Sequence, residues 1–358
     1  MQRVRRKLWG LVGLMFALSL MLAVLGQAPE PGYRLRPAPA FTPDRTIQVG
    51  MRINNIYDLS LKDKTFTADG WYWLKWPESV QQVISRDRIP IANLVEFTNQ
   101  VSRWDSLVEL EGEQPTREPD GMYLQLYRFS SRFFDDQQSL AMFPFQKLEL
   151  PITLETRPPQ FSMAAAGILL RSTIAKPEIL GDSASLNGYT LQGVTINQAI
   201  RIGTDRGHGK LAAADYSLAS YVVGYSSNGL SAFYTHIIPW FAVMMILLLA
   251  PNLEADQSDL RIAIPSSALL TLVFLMEGAH NILPPLGYLT YLDKLYILGY
   301  IASALQFWLF VWSNNLYCRS SEDQRPRVKQ LVNDADRFYQ ASVMAAMAVM
   351  LTYGLVRA

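Results

Sequence analysis

The sequence predicts a multi-domain chain in which an antiparallel β-sandwich is followed by an all-α domain of four membrane-spanning helices. Three observations carry this prediction. Polar sequence from about residue 29 to 231 is followed by a run of apolar segments that lasts to the end. Within the polar part, short stretches alternate apolar and polar side chains between turn-forming residues, the period-2 pattern of half-buried strands. Within the apolar part, four segments are each long enough to cross about 30 Å of hydrocarbon as a helix.

Arg3, Arg5, Arg6 and Lys7 precede an apolar run from Leu8 to Leu25, and Gly26-Gln27-Ala28-Pro29 follows. A positive start, an apolar middle and small residues before a proline read as a signal peptide over residues 1–28, or as an uncleaved anchor of the same orientation. In both cases the chain from residue 29 leaves the cytoplasm. Residues 29–43 form a proline-rich leader and residues 44–231 the sandwich. Thr46 to Ile56 sends Ile47, Val49, Met51 and Ile53 to one face and Gln48 and Arg52 to the other. After the polar Asp58 to Lys64 turn comes Phe66 to Trp76, then runs at Tyr123–Phe129, Leu148–Leu154, Tyr189–Val194, Thr195–Ile202 and Leu218–Tyr225. Many short strands without a long amphipathic helix favour a sandwich. Arg157 to Asn187 has no pattern that assigns it.

Residues 232–358 make the membrane domain, with spans at 232–250, 262–283, 286–312 and 339–356. With the sandwich outside, the loop before the fourth span lies inside. That loop holds Arg319, Arg325, Arg327, Lys329 and Arg337, as the positive-inside rule requires.

The 358 residues carry a formal charge of only +1, so no strong field recruits nucleic acid. The single cysteine, Cys318, forms no intrachain disulfide. No H-E-x-x-H, nucleophile elbow or P-loop is present, which argues against an enzyme. Three scattered histidines and one cysteine make no metal-site pattern, and no cofactor is implied. His208, His236 and His280 are open to two readings, titration near neutral pH as a gating signal or plain hydrogen bonding.

Read at alternating steps of four and three, the second span presents Ala263, Ser267, Leu270, Phe274, Glu277 and Asn281 as one stripe. It is small and polar at the start, bulky and apolar in the middle, and acidic toward the end. A lone carboxylate facing lipid costs several kcal/mol, so Glu277 should face protein or water. The stripe is either a helix-packing face with Glu277 reaching the interface or the lining of a pore.

Several ordered pieces resemble the pentameric ligand-gated channel (Cys-loop receptor) superfamily in its prokaryotic form. They are Ile53-Asn54-Asn55-Ile56-Tyr57-Asp58, Phe66 through Trp76, Phe143-Pro144-Phe145, and Asn281-Ile282-Leu283-Pro284 followed by Tyr288. Leu150 and Asp136 stand where other members carry the cystine. The resemblance implies a homopentamer in the bacterial inner (plasma) membrane, a small-molecule agonist bound between neighbouring sandwich domains outside, and a pore for monovalent cations surrounded by membrane lipid. A non-conducting membrane sensor or adhesion subunit with the same binding domain is the alternative. With Arg261 and Asn281 aligned to the family's landmarks, Leu270 falls on its gate leucine, Glu277 faces the pore, and Asp259 near the inner mouth joins Glu277 in selectivity. Leu260 occupies a position where the family commonly has glutamate. Pro265 marks either a helix start or a kink.

The same resemblance assigns coupling of sensor to pore to Phe143, Pro144, Phe145, Gln146, Pro284 and Tyr288. Gln146 and Ser227 replace a family aspartate and arginine that form a buried ion pair, unless Ser227 is one or two residues out of register. Losing both partners together can be nearly neutral. For the ligand, Trp71 and Trp73 lie on the second strand, Phe97 lies in Leu94 to Asn99, and a flap from Asp205 to Asp215 leads into Tyr216. Trp73, Phe97 and Tyr216 are the candidate wall, since aromatic faces attract cationic amines. Alternating aromatics in strands equally serve core packing.

Overall fold

The computed structural model describes residues 35–38, 40, 42–135, 138–157, 167–173, 176–202, 216–254 and 257–357, with Met21 besides. A β-rich region with two sheets is followed by four helices long and apolar enough to cross a membrane. The described residues divide into two compact units, Glu30–Gln138 with Lys147–Ser227 and Ser139–Gln146 with Asn228–Ala358. The expected signal segment, apart from Met21, and the Asp205 to Asp215 flap lie outside the described residues, as does Asp136.

The strands are β1 (Leu35–Pro37), β2 (Thr46–Ser60), β3 (Thr65–Trp76), β4 (Val95–Phe97), β5 (Gln100–Val101), β6 (Leu107–Arg117), β7 (Tyr123–Phe134), β8 (Lys147–Thr156), β9 (Leu169–Ser172), β10 (Leu180–Ser183), β11 (Tyr189–Arg201) and β12 (Tyr216–Ser227). One sheet has the order β1-β11-β12-β8-β4; the other has β10-β2-β3-β7-β5, with β9 also on β2 and β6 also on β7. Both contribute to one hydrophobic core. Ile47, Val49, Met51 and Ile53 of β2 meet Phe66, Leu74 and Trp76 of β3, with Leu150, Ile152 and Leu154 of β8 and Tyr221, Val223 and Tyr225 of β12. The inward set on β2 is the one its alternation predicts, because successive strand side chains point to opposite faces. Tyr221 bridges the sheets, its Oη donating to the Val49 carbonyl at 2.9 Å.

Four departures from the sequence reading have physical causes. The two runs expected between Tyr189 and Ile202 are one strand, whose register shifts between Leu191 and Gly193 where Gly193 takes φ +129°. A bulge reverses the phase of the alternation, so one strand reads as two. The expectation of a purely antiparallel arrangement is corrected at β9 and β10, which both run parallel to β2. They come from the unpatterned 157–187 stretch, and each pairs over too few residues to display a period. Strand β6 carries no sequence signal because every position in it is exposed, which leaves no alternation of burial. The helix α1 (Glu78–Asp87) is absent from the sequence reading because it buries only Val80.

The other unit holds α2 (Gly229–Asn252), α3 (Ser258–His280), α4 (Tyr291–Cys318) and α5 (Arg325–Arg357). Asn228 caps α2, its Oδ1 accepting from Leu230 N and Ser231 N. Helix α4 starts at Tyr291 rather than at residue 286 because Thr290 and Asp293 form a reciprocal capping box. Helix α5 starts well before residue 339, since Val332, Ala335, Asp336 and Tyr339 keep one buried face through the polar segment.

Candidate functional site

All six residues of the second-span stripe, Ala263, Ser267, Leu270, Phe274, Glu277 and Asn281, are exposed. Leu270 and Phe274 are open to 57% and 68%. The buried residues of α3 are Arg261, Pro265, Ala268, Leu272 and Ala279. Each of Arg261, Pro265, Ala268 and Leu272 lies two residues before a stripe member, about 200° around a helix of 3.6 residues per turn. The helix therefore rests on its own chain along one face and leaves the opposite face without a partner among the described residues. Asp259 is exposed in the first turn. Helix α3 continues through Pro265, which excludes a helix start there; the ring removes the N–H that would bond the Arg261 carbonyl.

The buried face is held by α4. A Cβ on Gly299 would lie 2.8 Å from Leu272 Cδ1 and 3.4 Å from Trp240 Nε1, so a larger residue there would have to push the leucine side chain aside. Trp240 Nε1 donates to the Leu295 carbonyl at 2.9 Å. Gln306 and Gln340 donate to the carbonyls of Leu247 and Leu248 at 2.7 and 2.8 Å, tying α2 to α4 and α5.

Arg261 does not join the open stripe. Its side chain is 2% exposed, and its Nη2 lies 2.5 Å from Oδ2 of Asp336 on α5, whose side chain is 5% exposed. The guanidinium carbon stands 4.3 Å from the ring centroid of Phe310 on α4. Arg261 Nε and Asp336 Oδ1 have no hydrogen-bond partner among the described residues, so the contact is monodentate where guanidinium and carboxylate could make two parallel bonds.

At the other end of α3, His280 Nε2 and Asp293 Oδ1 are 2.8 Å apart. The segment Ser139–Gln146 folds with the helices. Ala141 O accepts from Tyr291 N at 2.8 Å, Phe143 O from Leu292 N at 3.2 Å, and Thr290 Oγ1 from Asp293 N at 3.1 Å. The first N–H groups of α4, which a helix cannot satisfy internally, are thus capped by this loop and by Thr290. Leu140 N donates to Tyr288 Oη at 3.0 Å. The rings of Phe143 and His236 are 5.1 Å apart, and those of Phe145 and Tyr291 6.2 Å. The Phe143–Pro144 peptide is cis. Gln146 and Pro284 are buried, and Ser227 is half-buried. The structure thereby brings Phe143, Phe145 and Tyr288 to the start of α4.

The ligand candidates separate. Trp71 and Trp73 are half-buried, alternating with buried Tyr72, Leu74 and Trp76. Tyr216 is half-buried beneath the Arg201 guanidinium, 5.3 Å from its ring centroid; Arg201 is also paired with Glu155. Phe97 is corrected: it is 4% exposed and packs against Tyr72, Phe129 and Phe133 with centroids 5.3 to 5.4 Å away. Its side chain fills the core because the short β4 turns it inward beside β8. Leu150 is likewise a core residue.

Asp336, Asp293 and Ala141 escaped the sequence reading. Thr290-x-x-Asp293 is a capping-box pattern and was legible as one. Asp336 lay before the expected fourth span, in a segment read as a charged loop. Among the described residues no group of three or more His, Cys, Asp or Glu could hold a metal ion. No protein-family model matches the chain, and no curated protein matches it.

Proposed function

We propose that the chain is one subunit of a homopentameric ligand-gated channel, cation-selective, with α3 lining the pore. The observation that carries this reading is the open face of α3: the stripe runs from small and polar through Leu270 and Phe274 to Glu277 while the reverse face packs on the chain's own helices. A carboxylate on an apolar span needs a polar surround, and five copies facing one axis supply it. Rings of Leu270 and Phe274 would close the pore by dewetting, and rings of Glu277 with Asp259 would concentrate cations.

The two sheets sharing one core support a β-sandwich sensor, and the leader pattern and the basic loop between the last two spans support an orientation with that sensor outside a bacterial inner membrane. A small ligand would bind between neighbouring sandwich domains near Trp73 and Tyr216. The Ser139–Gln146 loop, capping α4, is the segment through which binding would reach the membrane domain. The test is purified protein in a planar bilayer, with the reversal potential read under a KCl gradient and the solubilised protein sized by sedimentation. The expected outcome is a pentamer that passes cation-selective unitary currents across a ligand panel. A stable monomer or dimer sinks the pore, an anion-selective potential sinks the filter assignment, and a silent pentamer leaves a non-conducting sensor.

A further inference from the structure

We infer that Asp336 is a positioning residue for the N-terminal end of α3: acting through Arg261, it sets where the open stripe of that helix begins and ties the stripe to the last helix of the chain. The functional meaning of this contact rests on the pore reading above, but the positional claim does not depend on conduction.

Three helices meet at one side chain. Arg261 belongs to α3, its ion-pair partner Asp336 to α5, and the ring under its guanidinium, Phe310, to α4. Both charged side chains are nearly closed to solvent, so neither can relax into water if the other moves, and a buried charge left alone is strongly unfavourable. Arg261 therefore follows Asp336. Ala263, the first stripe residue, is two residues further on and on the opposite side of the same turn, so a shift of Arg261 turns Ala263. Pro265 offers no N–H to the Arg261 carbonyl, so this turn has one helical hydrogen bond fewer, while the Arg261 N–H still donates to the Gln257 carbonyl at 3.1 Å. The side-chain contact to α5 adds a tether from another helix to this turn.

One consequence is electrostatic. The Arg261 charge is neutralised inside the subunit, which leaves the carboxylates of Asp259 and Glu277 as charges on the exposed side of α3. Arg261 is then a structural cation and not a selectivity residue.

The experiment places a nitroxide at A263C in a full-length C318S chain in lipid nanodiscs and reads its spectrum, with collision rates to an aqueous nickel chelate and to oxygen. D336N is expected to move the label to a faster, less ordered spectrum. R261M/D336L, which exchanges the buried ion pair for apolar groups and so should fold even if D336N does not, is expected to shift it too, since bulk without direction cannot set position. The charge exchange R261D/D336R is expected to return the spectrum toward that of the parent. A spectrum of folded R261M/D336L that superimposes on the parent overturns the inference and leaves the pair a packing element. The relaxing agent reports separately on the pore reading: nickel collisions place Ala263 in water, whereas oxygen alone places it in lipid and overturns the pore while the spectral shift still decides the role of Asp336.

Discussion

His280 Nε2 lies 2.8 Å from Asp293 Oδ1, and the other oxygen of the same carboxylate accepts the Thr290 N–H at 2.8 Å. One carboxylate thus closes the capping box of α4 and holds the last residue of α3. Asp293→Ala removes both contacts and should cost about 0.3–1.5 kcal/mol for the capping box, with the histidine contact added. His280→Ala removes one. Because the two contact each other, Asp293→Ala already removes the His280 contact, and the double variant should be no less stable in a thermal melt than Asp293→Ala alone. Additive losses would show that the pair is not coupled.

Gly50 pairs with Trp73 across β2 and β3, and the indole occupies the space a Cβ on Gly50 would need. Gly50→Ala must displace the ring or the strand, an overpacking cost of about 1–3 kcal/mol. The same change in a Trp73→Ala background should be close to neutral, and comparing thermal midpoints of the two backgrounds checks this. Equal losses in both would place the conflict in the backbone.

Phe97→Ala empties part of the aromatic core, and such a truncation costs about 3–5 kcal/mol. The expected result is a marked drop in folded yield and melting temperature. Trp73 is half-buried, so Trp73→Ala should instead fold well, and under the proposed function it should shift the response to an activating ligand toward higher concentration. A normally stable Phe97→Ala chain with a weakened ligand response would restore Phe97 to the binding wall.

Leu270 and Glu277 share a face but answer to different physics. Under the proposed function, Leu270→Ser would hydrate an apolar ring and should leave the channel open without ligand. Glu277→Gln should reduce inward cation conductance most at low ionic strength, because a charged ring acts within a Debye length of about 8 Å at physiological salt. Unitary recordings at two salt concentrations separate them. A salt-independent loss in Glu277→Gln would argue for a packing role.

Burial pushes the Tyr221 and Tyr225 hydroxyls up to about 12, from an ordinary value near 10. The folded β-rich unit holds these protons more tightly than the unfolded chain does. Their contribution to stability is therefore complete below about pH 10 and is lost as pH rises through about 12. Tyrosinate absorbance followed with a conformational probe should show these two ionising only as the unit loosens. Ionisation near pH 10 without unfolding would contradict their burial.

Period and composition were enough to read the elements whose residues bury one side. The inward face of β2, the alternation of β3 and the four apolar helices follow from local pattern, because a strand or helix that hides one face must repeat its apolar residues at its own period. The stripe on α3 was legible for the same reason, as a period of alternating four and three. The all-exposed β6 and the short parallel β9 and β10 carry no such signal. Neither does Phe97, where the same aromatic in the same short strand serves core or ligand equally well.

By itself the sequence determined which residues of α3 share a face, since helical geometry places every fourth and third side chain together whatever surrounds them. Only the tertiary structure decided which face is open, that Arg261 turns away to meet Asp336, and that Ala141 and Phe143 cap α4. Those outcomes depend on which distant groups satisfy a buried charge or an unbonded N–H. Asp336 lies 75 residues beyond Arg261, and Ala141 lies 150 residues before Tyr291. No local period connects groups so far apart; they meet because a buried polar atom must find a partner wherever the packed chain supplies one.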